Sequence, residues 1–99
     1  MKPKNPVILC NDGFTMSVQG NRNAYCQPRN DEGPYSHVEC GFPSSKPSTS
    51  ALREYAEDLY GKDEIDCNFT DTVYGYVPVG IVLDEFARHG GIKSGKMPE

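Results

Sequence analysis

Polar and apolar positions alternate most cleanly in residues 14–19 (FTMSVQ) and 35–42 (YSHVECGF). A period of two sends successive side chains to opposite faces, as in a strand with one buried side. In the first stretch Phe14, Met16 and Val18 face inward and Thr15, Ser17 and Gln19 outward. In the second, Ser36, Val38, Cys40 and Phe42 share the oily face, which leaves Tyr35, His37 and Glu39 on the polar one. A strand starting at residue 24 continues the scheme, with Ala24 and Cys26 inward and Tyr25 and Gln27 outward. Between these two strands NDEGP (30–34) is turn chemistry, because Asn and Asp bond their own backbone and Gly accepts positive φ. Upstream, VILC (7–10) is a short apolar strand and NDG (11–13) carries the Asp-Gly hairpin signal. GNRN (20–23) is the next turn. Four strands in a meander follow from this, behind a polar leader at 1–6.

The period then changes. GFPSSKPSTS (41–50) leaves the sheet as a loop, and its hydroxyls at 48–50 suit the capping of a helix. Leu52, Tyr55, Ala56 and Leu59 form one apolar stripe, with Gly61 as the stop. TVYGYV (72–77) reads as a fifth strand, and Pro78 suits the first turn of a second helix. That helix carries Val79, Val82, Leu83 and Phe86 inward, with Asp84, Glu85 and Arg88 outside. His89 lies in its last turn, where a positive charge complements the helix dipole. Gly90-Gly91 ends it, and 93–99 reads as a frayed tail. The fold expected is α+β: a two-layer sandwich, ββββαβα, with both helices on one face of an antiparallel sheet and residues 1–99 in one domain.

Composition narrows the function classes. The 99 residues carry a net charge of −4, against the clustered Lys and Arg that nucleic-acid binding requires. No apolar run approaches the roughly 20 residues of a membrane span. The leader has only a four-residue apolar run, too short for a secretory signal, so the location expected is cytoplasmic. Cys10, Cys26, Cys40 and Cys67 are widely spaced, with no CxxC pair, and read as reduced thiols packed as small apolar groups. No metal and no cofactor is expected.

Candidate chemistry sits mainly on the open sheet face. Tyr25, Gln27, Arg29, Asn30, Tyr35, His37 and Glu39 combine aromatic area with adaptable polar groups, the composition of a binding surface. His37 and Glu39 also form a candidate acid–base pair, although no nucleophile accompanies them. Half of all the acids fall between residues 54 and 71, a segment able to imitate a row of phosphates. Gly90-x-x-x-x-Gly95-Lys96 imitates a phosphate-binding loop but is followed by Met97 rather than Ser or Thr, and a helix precedes it.

The segments MSVQGNRNAYCQPRNDEGPYSHVECGFPS (16–44) and TVYGYVPVGIVLDEFARHGGI (72–92) resemble small accessory proteins of phages and prophages. The resemblance implies a stoichiometric inhibitor of host defence, such as an anti-CRISPR protein, with a host protein or protein complex as partner. It implies no catalytic residue. A second reading is a sponge for a nucleotide signal using Tyr25, Arg29, Tyr35 and His37, and a third is a small hydrolase built on His37 and Glu39. The protein is expected as a monomer or homodimer.

Overall fold

The Asp12-Gly13 turn folds the first two strands against each other. The computed structural model describes residues 2–99, and Met1, the first residue of the leader, lies outside them. Strands β1 (Ile8–Cys10) and β2 (Thr15–Gln19) pair antiparallel with Ile8 opposite Met16. Gly13 takes φ +95°, which a side chain would resist, and Asp12 accepts the Phe14 N–H at 2.9 Å. Phe14, Met16 and Val18 are buried, as their alternation requires. Strand β3 (His37–Gly41) lies beside β2 with Cys40 opposite Val18, and β4 (Val73–Pro78) lies beside β3.

Two helices, α1 (Ser50–Arg53) and α2 (Val79–Arg88), supply the second layer. Leu52, Val82 and Phe86 join Ile8, Met16, Val38 and Tyr74 in one buried cluster, so both helices cover the same sheet face. Cys10, Cys26 and Cys40 are buried free thiols. Burial pushes the Cys40 thiol well above its ordinary range, which keeps it inert.

The strand expected from residue 24 does not form. Its burial pattern survives, with Ala24 and Cys26 inside and Tyr25 exposed, but only Gln27 bridges, to His37. The reason is occupancy, since β2 already takes the flank of β3 from Glu39 to Gly41. The fifth strand comes from the region read as a tail: β5 (Ile92–Ser94) pairs with β1. The strand order is therefore β4-β3-β2-β1-β5, and the chain runs βββαβαβ. Gly95 lets this end lie close, because a Cβ there would sit 3.0 Å from the Val7 carbonyl oxygen. The leader is tied down as well, with Asn5 and the Gln19 side chain exchanging hydrogen bonds of 2.7 and 2.8 Å.

Helix α1 is far shorter than the stripe to Gly61 suggests. Thr49 caps it, accepting the Leu52 N–H at 3.3 Å. Past Glu54 the chain becomes extended at Ala56 and pairs with Tyr74 on the outer edge of β4. Covering that edge takes precedence over two more helical turns, and the 3-10 turns Glu57–Leu59 and Glu64–Asp66 follow. Leu52 and Ala56 are still buried, so the apolar spacing is used without a continuous helix.

Helix α2 is rotated from its expected face. Leu83 is 45% exposed, whereas Glu85 is fully buried. Its carboxylate accepts N–H and O–H bonds from both Ser48 and Thr49 at 2.8–3.0 Å. It also meets His89 Nε2 at 2.9 Å. The other imidazole nitrogen lies 2.7 Å from Asp12 Oδ2, and the ring stacks on Phe14 with centroids 3.9 Å apart. Burial alone would raise the Glu85 carboxyl, but donors on Ser48, His89 and Thr49 outweigh it and hold it below the ordinary range. Burial likewise pushes the His89 imidazole down, yet Asp12 and Glu85 on either side outweigh this and raise it. Both ring nitrogens of His89 thus face carboxylate oxygens, an arrangement that favours the protonated imidazole.

Glu85→Ala should strand these donors and leave His89⁺ half-paired, at a cost of about 3–5 kcal/mol in urea unfolding. Asp84→Ala, one residue away and exposed, should stay within about 0.5 kcal/mol. Equal losses would mean that the rotation of α2 is wrong.

The same network sets a pH window. The depressed Glu85 contributes stability that is present above its unfolded pKa and is lost as pH falls through the folded value. The raised His89 contributes stability that is full below about pH 6.5 and is lost as pH rises through its folded value. The thermal midpoint should peak between the two, and His89→Gln should flatten the alkaline limb. An unchanged limb in that variant would remove His89 from the account.

Candidate functional site

The candidate face begins with an irregularity in β4. Val77 pairs with Val38 and Tyr74 with Cys40, so Gly75 and Tyr76 together oppose the single residue Glu39. This bulge keeps both Tyr74 and Val77 in the core although they are three residues apart. Tyr76 takes φ +53°, a conformation few tyrosines adopt. Its N–H, released from β3, donates to the Tyr25 carbonyl at 2.9 Å. The Tyr25 N–H in turn donates to Glu39 Oε1 at 3.1 Å.

Tyr25 is thus bound through its backbone to both strands. Gly75 makes the room, since a Cβ there would lie 3.3 Å from the Tyr25 Cβ. The Tyr25 and Tyr76 rings stack with centroids 5.8 Å apart and planes inclined by 26°. The Arg29 guanidinium lies 5.4 Å from the Tyr25 ring centroid, within cation–π range. Both residues remain exposed, Tyr25 at 39% and Tyr76 at 46%. From Glu39 the face continues into a concavity of about 440 Å³ lined by Lys4, Ser17, Phe42 and Val73 among others.

Of the seven residues singled out in the sequence, Tyr25, Arg29 and Glu39 come together here. Gln27 and His37 adjoin each other, the Gln27 N–H donating to the His37 carbonyl at 3.0 Å. His37 Nδ1 lies 2.8 Å from Ser36 Oγ. Among the described residues no hydrogen bond joins His37 to Glu39, whose carboxylate holds the Tyr25 N–H instead. Asn30 acts as a loop cap, accepting the Glu32 and Gly33 N–H groups at 3.0 and 3.2 Å.

Tyr35 is a correction. Its side chain is expected on the open face but is buried, 8% exposed, with its ring against Gly20. The hydroxyl donates to the Asn30 carbonyl at 2.8 Å and accepts from Lys2 at 3.1 Å. Strand β3 begins only at His37, so the alternation does not reach back to Tyr35, and Ser36 is exposed for the same reason. At the other end β3 stops at Gly41, and Phe42, expected inward, is 56% exposed at φ +50°. Gln19, expected on the open face, is buried beneath the leader by its bonds to Asn5.

Tyr76 is the residue the alternation alone does not single out. A signal was present, because a glycine between two tyrosines inside a strand marks a bulge, and a bulge re-aims the next side chain. Comparisons with protein families, with curated proteins and with solved structures found no match.

Proposed function

We propose that this protein works by stoichiometric binding of a partner protein on the Tyr25–Tyr76–Arg29 face, as an inhibitor of a host factor. The observation that carries the reading is the stacked tyrosine pair, half-open to solvent and fixed by main-chain hydrogen bonds at Tyr25 and Tyr76. Aromatic and Arg side chains dominate binding energy at protein interfaces. Rings that stack on each other above a fixed backbone lose less freedom on binding, so more of their contact energy appears as affinity. Gln27, His37 and Glu39 supply a polar rim. The resemblance to phage accessory proteins selects the first partner class to try, a component of bacterial defence such as a CRISPR effector complex. A protein partner is favoured over a nucleotide signal because the two rings stack on each other and leave no slot for a base.

In cells carrying an active defence system, the wild-type chain should restore phage plaquing. The Tyr25→Ala/Tyr76→Ala double variant should not, and its affinity for the captured component should fall by about 2 kcal/mol or more. Its circular dichroism should remain native. Tyr35→Ala should instead lose about 3 kcal/mol of stability, with binding lost only through unfolding. A folded double variant that still protects phage would remove this face as the site.

A further inference from the structure

Among the described residues, the two most exposed large apolar side chains are on neither strand nor α-helix. Tyr60 is 93% exposed and Ile65 90%, both in the segment between α1 and β4. Tyr60 closes the first 3-10 turn, and Ile65 is the middle residue of the second. Next to Tyr60 lies a groove of about 580 Å³ whose apolar lining is Tyr55, Ala56 and Leu59, with Glu54 and Glu57 at its margin. The segment is not loosely attached. The Asp58 N–H donates to Thr72 Oγ1 at 3.0 Å, and the Asp58 carboxylate accepts the Asn68 N–H at 2.7 Å. Tyr60, held outward at the edge of an apolar groove, with Ile65 exposed five residues on in the same segment, is what a partner would cover.

Charge decides what kind of partner. Residues 54–71 hold seven carboxylates and one lysine, a net of −6, where the whole chain carries −4. Asp58 is paired with Lys62, and Glu64 with Lys46 and Arg53. Among the described residues no ion pair reaches Glu54, Glu57, Asp63, Asp66 or Asp71. A nucleic acid or an anionic membrane would be repelled, and a second copy of this acidic chain is disfavoured at long range. The groove suits an apolar side chain, and Glu54 and Glu57 at its margin, which no ion pair reaches, suit cations.

We propose that this surface docks a cationic amphipathic segment of another protein. An apolar side chain of that segment enters the groove beside Tyr60, and its Lys or Arg residues meet the unpaired carboxylates. The surface is separate from the Tyr25–Tyr76 pair and does not depend on the function proposed for it.

The test uses the full chain and a fluorescein-labelled amphipathic peptide of leucine and lysine, read by anisotropy at near-physiological salt. A peptide of equal charge with serine in place of leucine is the control. The leucine peptide should bind saturably and the serine peptide should not. Tyr60→Ser with Ile65→Ser, both fully exposed and therefore tolerated by the fold, should weaken binding about tenfold or more. Glu54→Gln with Glu57→Gln should also weaken it and should flatten its dependence on salt. Equal binding of both peptides, wild-type affinity in the Tyr60/Ile65 variant, or no binding at all would overturn the proposal. So would sedimentation showing that the free chain self-associates in a manner abolished by Tyr60→Ser.

Discussion

One buried carboxylate fixes the relation between three parts of the chain. Glu85 lies in α2, yet its donors come from Ser48 and Thr49, and through His89 it reaches Asp12 in the first hairpin turn. A carboxylate without solvent must be fully hydrogen-bonded or it cannot stay ionised. That requirement leaves α2 one rotation, the one that turns Glu85 inward and Leu83 out. It also sets where α1 starts, because the Thr49 hydroxyl donates to Glu85 and accepts the first capping bond from Leu52. A buried ionic network need not be more stable than an apolar packing of the same volume. Its contribution here is specification: it discriminates one docking of α2 from those that would satisfy the apolar stripe equally well.

The β3–β4 pair shows how a core requirement shapes a surface. Tyr74 and Val77 must both point inward, but strict alternation would put residues three apart on opposite faces. Opposing Gly75 and Tyr76 to the single Glu39 resolves the conflict, and it also gives Tyr76 its positive φ and an N–H with no partner on β3. Tyr25 supplies the missing acceptor. The placement of the stacked tyrosines therefore follows from burying Tyr74 and Val77.

Where a segment's own pattern decides its structure, the sequence was readable. Strands β1 to β4, the turn at Asp12-Gly13, the cap at Thr49, the site of α2 and the α+β layering all follow from local alternation, turn chemistry and helical spacing. Where a distant partner decides, it was not. The IKS of β5 has no strand signal of its own, and it pairs because β1 has a free flank. The helical stripe after residue 50 breaks because β4 has an edge to cover at Ala56. Glu85 reads as a surface residue by type, and nothing near it in sequence announces the donors at 48 and 49. Tyr35 fails differently, through extending the alternation of β3 two residues into a loop.

The two surfaces described above each have a residue tied to β4. Ala56 lines the acidic groove and pairs with Tyr74, while Tyr76 lies in the bulge that follows on the same strand. One face presents stacked rings with Arg29, and the other an apolar groove rimmed with unpaired carboxylates. The Glu85–His89–Asp12 network uses none of the side chains on these two surfaces, and it ties α2 to the loop before α1 and to the first hairpin. Contacts at the first surface would rest on aromatic packing, and contacts at the second on charge as well. Contacts of such different origin would separate on raising the salt, since screening weakens exposed charge pairs and leaves ring packing in place.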